Sequence, residues 1–451
     1  MRSIRIGAGA GYAGDRWEPA LELIEKAALD YIAFECLAER TIALGQLDRL
    51  RDPDKGYNPF MEDRWRAVLA PAKQRGVRII TNMGAANPLA AARRTLEIAQ
   101  ELGLASFKVA VILGDDVLDQ IRSHHDLLML ETGEPVGSLG NSLISANAYL
   151  GAEPIRDALA TGADVVITGR VADPSLFLGA MMHAFGWKAD DWPMMGAGTV
   201  LGHLLECAGQ VTGGYFADPG VKDVDGLDRL GFPFAEVSAD GSAFISKPEG
   251  SGGAVTPATC TEQLLYECGD PSAYITPDCV ADFTAVQFAQ NQTDHVTVSG
   301  AKALPRTAFL KTSVCYHARY IGEGHVGYAG PNARKRAELA ATIVRSRLAQ
   351  RNLDLEDLRI DLIGMNSLHG SGSPEESEPY EVRLRVAARS ANRRHAEYVA
   401  QETQSLLTNG PAGGGGDFMQ VRDLVGVRSV LLPRASVQPW VEVLGVEMLQ
   451  S

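Results

Sequence analysis

The strongest constraint in this sequence is a recurring unit. A short apolar, β-branched run is followed by a loop that opens on polar side chains, and then by a helical pattern. ADVVITGRVADPS (163–175) is the clearest copy. Val165–Thr168 read as a buried strand. The chain breaks at Gly169, offers Arg170 and Asp173, and restarts at Pro174 with Leu176, Phe177 and Met181 at helical spacing. Asp173-Pro174 is a ready N-cap and first-turn pair. Similar strands are expected over 3–8, 31–34, 77–81, 107–112 and 142–146, most of them followed by a helical stretch. Strands about thirty residues or more apart, joined by helices, predict βαβ units and a parallel sheet.

Aligning the strand ends gives one polar rim: Asp15, Glu35, Asn82, Asp115, Asp116, Asn147, Arg170 and Asp173. Helix capping explains one or two such residues, not eight. In open α/β sheets ligands bind beyond the carboxyl ends of the strands, so this rim is the candidate site.

At 451 residues the chain is expected to form more than one domain. Residues 1–210 read as an N-terminal α/β domain carrying the rim. Residues 211–330, dense in Gly, Pro and short β runs, read as a β-rich region. Residues 331–451, with an amphipathic helix over 332–350 and strands on either side of the loop HGSGSPEESEP, read as a smaller C-terminal α/β region. The fold class expected is therefore α/β: a mostly parallel N-terminal sheet with flanking helices, a β-rich middle and a small α/β layer.

A net charge of −14 argues against nucleic acid and anionic membrane surfaces as partners. No apolar run approaches the roughly 20 residues that span a bilayer, and the N-terminus lacks a signal-peptide pattern. The six cysteines are scattered without a CxxC, so neither a disulfide framework nor a zinc site is indicated. A cytoplasmic protein is expected, and a homo-oligomer on general grounds.

Gly9-x-Gly11-x-x-Gly14 follows the first strand, and Glu35 ends the next. That spacing matches a dinucleotide fingerprint, but Asp15 at the helix mouth would repel a phosphate. His203 and Glu206, at i and i+3 in a compact apolar helix, share one face, as an acid/base or metal-ligand pair would. The acidic rim residues lack the ligand spacing of a Mg²⁺ or Ca²⁺ site. GPAGGGG (410–416) reads as an anion nest or a hinge; it lacks the Lys-Ser/Thr of a P-loop.

Several stretches together closely resemble the acyclic terpene utilisation protein AtuA family. They are GYAGDRWEPALELIE, LDYIAFECLAERT, TNMGAANP, ITGRVADPSLFL, GHLLECAGQVTGGYFADPG, the strand before HGSG, and GPAGGGG. The resemblance covers nearly the whole chain. It implies a setting in which acyclic terpenoids are degraded through CoA thioesters. It also favours Asp15 as a working residue over Gly9 and Gly11 as a phosphate cradle. Arg170, Asp173 and the Gly213-Gly214-Tyr215 turn fall inside the family-like stretches.

The expected function is an enzyme of acyclic terpenoid, branched acyl-CoA or organic-acid catabolism, a lyase or isomerase working by acid/base chemistry. Asp15, Glu35 or Asp173 would move the proton. Arg170 would clamp a carboxylate, and Asn82 and Asn147 would stabilise a developing enolate or alkoxide. The Gly213-Gly214-Tyr215 turn would contact the substrate, a small carboxylate or acyl-CoA. No cofactor and no metal ligand is assigned; a divalent metal is compatible with the acidic rim but has no support from ligand spacing. The alternatives are a non-catalytic subunit or scaffold for an acyl-CoA enzyme, and an NAD(P)-dependent oxidoreductase.

Overall fold

The structure, a computed structural model, describes residues 2–370 and 378–450. Residues 371–377 of the loop HGSGSPEESEP lie outside the described residues. The chain opens with β1 (Ser3–Gly11), α1 (Glu18–Lys26), β2 (Tyr31–Glu35), α2 (Glu39–Arg51), α3 (Met61–Arg75), β3 (Arg78–Thr81) and α4 (Pro88–Glu101). It continues with β4 (Lys108–Leu113), α5 (Leu118–Ser123), β5 (Leu143–Ala148), α6 (Glu153–Ala160), β6 (Val165–Thr168), α7 (Ser175–Phe185) and α8 (Trp192–Glu206). β1, β2, β3, β6 and β4 lie side by side in that order, all parallel. β2 and β6 are buried along their whole length. Parallel strands are covered on both faces, which is why they read as unbroken apolar runs.

The middle of the chain supplies β7 (Phe234–Ser238), β8 (Ala243–Ser246), α9 (Pro257–Leu265), β9 (Tyr274–Ile275) and β10 (Val280–Asp282). β11 (Gln287–Gln292), β12 (His295–Ser299), β13 (Lys302–Leu304) and β14 (Phe309–Ala329) follow. Then come α10 (Ala333–Gln350), β15 (Glu356–Ile363), β16 (Glu381–Ser390), α11 (Arg393–Gln404), α12 (Leu406–Asn409), β17 (Gly415–Pro433) and β18 (Trp440–Gly445). β7 joins β1 antiparallel and is continued by β8, β12 and β11, while β18 closes the far edge antiparallel to β4. The large sheet is thus parallel at its centre and antiparallel at both ends. β5 does not enter it and pairs with β14 instead. β9, β10 and β13 form a small separate sheet.

The chain divides into two compact units. The first comprises residues up to Gly140, Ile144–Cys315 and Val427 onward, and contains the large sheet. The second comprises Asn141–Leu143 and Tyr316–Gly426. Its sheet runs β15-β16-β14-β17. Its core packs Ala337 and Val344 of α10 and Val399 of α11 against Val326, Leu362, Leu384 and Val386. The GPAGGGG tract leads into β17, with Arg336 Nη1 donating to Ala412 O at 2.8 Å. Among the described residues, no helix is long and apolar enough to cross a membrane.

Two close approaches bring separate elements together at the carboxyl end of the parallel strands. A Cβ on Gly202 of α8 would collide with the Pro174 backbone at the start of α7, and one on Gly11 would collide with the Cys207 backbone just after α8. Only glycine permits both contacts. They hold Glu206, one turn beyond Gly202, against the loop of Asp173 and the end of β1.

Candidate active site

A cavity of about 660 Å³ opens in the first unit. It is walled by the loops after β1, β2 and β6, the end of α8, residues around β9, and the start of β14. Glu35, Asp173 and Glu206 line it together, with Glu39, Glu267 and Lys311. Most of the rest is aromatic or apolar, with Tyr149, Tyr266, Tyr274, Leu37, Ile275, Phe309, Leu310 and Leu431, and Thr41, Gln210, Thr276 and Thr307 add uncharged polar groups.

Glu35 ends β2. Its Oε1 accepts from the Leu37 N–H at 2.8 Å and from Asn82 Nδ2 at 2.9 Å, and Asn82 Oδ1 accepts from Cys36 N at 2.7 Å. Burial, then the negative charge of Asp173, pushes Glu35 up to about 8 despite those donors and Arg170. Asp173 faces the cavity with 36% of its side chain exposed and accepts from Arg170 Nη2. Burial raises Asp173 above the usual carboxylate range, and Arg170 opposes the rise.

Glu206 Oε1 lies 2.7 Å from His203 Nδ1, and His203 Nε2 lies 3.1 Å from Leu264 O. The i, i+3 pair read from the sequence is therefore formed. A carbonyl only accepts, so Nε2 carries a hydrogen, and one further proton is shared between Nδ1 and Glu206. Glu206 Oε2 is buried with no hydrogen-bond partner. Burial pushes Glu206 up to about 7 against the pull of His203. Burial lowers His203, but the charge and hydrogen bond of Glu206 and the Leu264 carbonyl together outweigh it, and the imidazole is raised. Tyr274 and Phe283 hold the ring from its sides, at centroid distances of 4.8 and 5.4 Å.

The other rim residues stand behind this wall. Arg170 is 1% exposed, and its guanidinium donates to Leu37 O, Val171 O and Asp173 while stacking 4.5 Å from the Tyr149 ring. It does not line the cavity. Asp115 Oδ2 accepts from Arg170 N at 2.8 Å and Asn147 Nδ2 at 3.0 Å, tying the loops after β4 and β6 to the end of β5. Burial pushes Asp115 up to about 6. Asp116 lies 3.8 Å from Arg49. Asp15 accepts from Gly11 N at 3.0 Å and from Arg16 N at 2.8 Å, closing the turn whose Gly11, Tyr12 and Ala13 line the cavity. Gly213 and Gly214 form a turn away from the lining, with φ +104° at Gly213. Tyr215 is 86% exposed and meets the lining residue Tyr266 edge-on at 6.3 Å.

Gly9 lies inside β1, where a Cβ would fall 2.7 Å from the Phe34 ring. With Gly11 packed on Cys207, the fingerprint glycines serve close packing within the protein. Among the described residues, no three His, Cys, Asp or Glu side chains are grouped so as to hold a metal ion.

Sequence reasoning missed Glu39, Tyr149, Glu267, Tyr274 and Lys311. Tyr149 Oη donates to Glu39 at 2.6 Å, and Lys311 Nζ to the same oxygen at 2.9 Å. No local motif marks such a triad, since its members come from α2, the loop after β5 and β14.

No curated protein and no solved structure matches this chain. The family model described as acyclic terpene utilisation family protein AtuA matches residues 4–443, nearly its whole length. The chain belongs to the acyclic terpene utilisation AtuA family.

Proposed function

We propose that this AtuA-family chain is an enzyme that moves protons on a branched, largely apolar acyl substrate, by hydration, dehydration or double-bond isomerisation. The observation that carries this reading is the meeting of Glu35, Asp173 and Glu206 on one cavity whose remaining walls are mainly aromatic and aliphatic. Carboxyls whose surroundings push their pKa values apart divide into acids and bases near neutral pH. Glu35 has no cation in contact and keeps its proton; Asp173, though burial raises it too, is ion-paired with Arg170, which favours its carboxylate form.

Both oxygens of Glu35 then have defined tasks. Oε1 is occupied by two N–H donors, so the acidic proton sits on Oε2. In a hydration, Asp173 would take a proton from water as its oxygen bonds to the β carbon, and Glu35 would deliver its proton to the α carbon. In an isomerisation, the carboxylate would remove a proton from one carbon and the acid would return one at another. The His203–Glu206 pair is a second proton carrier, with Oε2 of Glu206 as its open end. In this reading Arg170 and Asn82 are positioning residues for Asp173 and Glu35.

The cavity's charge also selects the substrate. Five carboxyls line it against Lys311, which is itself paired with Glu39. A free carboxylate would be repelled there, so a neutral ester or thioester fits better than an organic acid. The test is incubation with branched α,β-unsaturated thioesters and the matching free acids in D₂O, with mass spectrometry of recovered material. Deuterium uptake or water addition with the thioester, lost about 10²-fold or more in Glu35→Gln, is the expected result. No exchange with any of these compounds would overturn the reading in favour of a non-catalytic subunit.

A further inference from the structure

A second cavity of about 380 Å³ shares Leu310 with the first. That volume lies within the range of roughly 300–1,000 Å³ usual for small-ligand sites. Its charged lining is Arg156, Arg306 and Arg434 together with Glu153, Asp157 and Asp278, and its rim carries the indole of Trp440. Arg156 is paired with Asp157 at 2.8 Å, and Arg306 with Glu153.

Arg434 differs from the other two. It gives Nε to Thr307 O at 3.2 Å and Nη2 to Pro277 O at 2.7 Å, and has no carboxylate partner among the described residues. The acids whose charges reach it are already engaged. Asp278 accepts from Ala152 N at 2.8 Å and Ser175 Oγ at 2.5 Å, and Glu153 holds Arg306. Burial, and after it the positive charge of Arg306, lowers Arg434 from the usual arginine range. Arg434 is thus a half-buried guanidinium whose charge is met only at a distance by acids engaged elsewhere, and its forked donors suit a phosphate. Beside them Trp440 leaves 52% of its surface open, a flat plane on which an aromatic base can stack.

The two cavities share a wall. Thr307 and Pro277 line the first cavity, and their carbonyl oxygens anchor Arg434 in the second. A ligand with its acyl end in the first cavity would reach the second across Leu310, the residue common to both linings.

We propose that the second cavity binds the phosphate and base of a nucleotide, as the phosphorylated end of the carrier to which the acyl group is joined as a thioester. The carrier half of this inference rests on the proton-transfer reading of the first cavity; the nucleotide site does not.

The experiment is isothermal titration of the full chain with adenosine 3′,5′-bisphosphate, coenzyme A, AMP and inorganic phosphate, alongside tryptophan fluorescence. Binding of the bisphosphate and of coenzyme A, each at least about tenfold tighter than phosphate, is expected. Arg434→Gln should weaken both by about tenfold or more, as expected for a charge-assisted contact. Trp440→Leu should weaken both and remove the fluorescence change. Because Arg434 also ties down Thr307 and Pro277, Arg306→Gln serves as the second variant if Arg434→Gln fails to fold.

No heat with either nucleotide ligand would overturn the proposal, as would binding unchanged in both an arginine variant and Trp440→Leu. AMP binding as tightly as coenzyme A would leave a free-nucleotide site and remove the carrier half. Nucleotide binding without turnover of any thioester would instead strike the proton-transfer reading while leaving this site standing.

Discussion

The side-chain amide of Asn82 donates to Glu35 Oε1 at 2.9 Å, on the same oxygen that accepts the Leu37 N–H. Asn82 follows β3 and Glu35 ends β2, so the hydrogen bond crosses between adjacent parallel strands at their carboxyl ends. It fixes which oxygen of Glu35 is free to meet a ligand. Removing the amide with Asn82→Leu would leave the buried Cys36 N–H unpaired and withdraw a donor that favours the carboxylate. The expected cost is about 1–3 kcal/mol of stability, read as a lower urea midpoint. The pKa of Glu35 should rise further, moving the alkaline limb of the pH–rate profile upward. A midpoint and a profile both unchanged would show that the amide does not set the state of Glu35.

Glu35 itself makes stability depend on pH. Its ordinary value of 4.5 is pushed up to about 8, so the folded protein holds this proton more tightly than the unfolded chain. The corresponding stability is fully present below about pH 4.5 and is lost as pH rises through about 8. At about 1.4 kcal/mol per pKa unit the effect is a few kcal/mol at most. Glu35→Gln is neutral at every pH and keeps an acceptor for Leu37 N and Asn82. Urea midpoints at about pH 5 and pH 9 should fall for the parent protein and fall less for the variant. Equal declines in the two proteins would place the titrating group elsewhere.

The strand-loop-helix order was legible because parallel strands buried on both faces leave unbroken apolar runs such as Tyr31–Phe34 and Val165–Thr168. Their ends gave Glu35 and Asp173, and both line the cavity. The same rule could not separate polar groups that meet a ligand from polar groups that satisfy each other. Behind the wall Asp115 accepts from the Asn147 amide and the Arg170 N–H, and in sequence these residues look no different from Glu35. Glu206 was visible as a partner for His203 through helical spacing. Its place in the cavity depends on Gly202 and Gly11 admitting backbone contacts from distant elements. Lys311 meets Glu39 across 272 residues, and no local pattern encodes that meeting.

Gly11 tests the competing use of the first loop. A side chain there meets the Cys207 backbone rather than open space. Gly11→Ala should therefore cost about 1–3 kcal/mol through overpacking and displace Glu206 from the cavity, lowering turnover as well. Any rise in melting temperature that NAD(H) gives the parent protein should be kept in Gly11→Ala, since the first loop forms no phosphate cradle. A rise in melting temperature with NAD(H), abolished by Gly11→Ala, would restore the dinucleotide reading.

Arg170 gives the sharpest division between holding the site and holding the substrate. Its guanidinium reaches Leu37 O after β2, Val171 O and the Asp173 carboxylate, and it lies over the Tyr149 ring. One planar fork thus joins the loops after β2 and β6, and the stack on Tyr149 fixes its orientation. Lysine keeps the charge but offers a single donor centre and no flat face. Arg170→Lys should therefore behave as a broken buried pair and lose about 3–5 kcal/mol. Asp173→Asn should also destabilise. Combining Asp173→Asn with Arg170→Met should cost less than the two single changes added together, with a coupling of about 0.5–3 kcal/mol. In the proposed reaction kcat should fall and KM should change little, because Arg170 contacts Asp173 and does not line the cavity. A stable Arg170→Lys protein whose only defect is a raised KM would reverse this assignment and make Arg170 a direct clamp on the substrate.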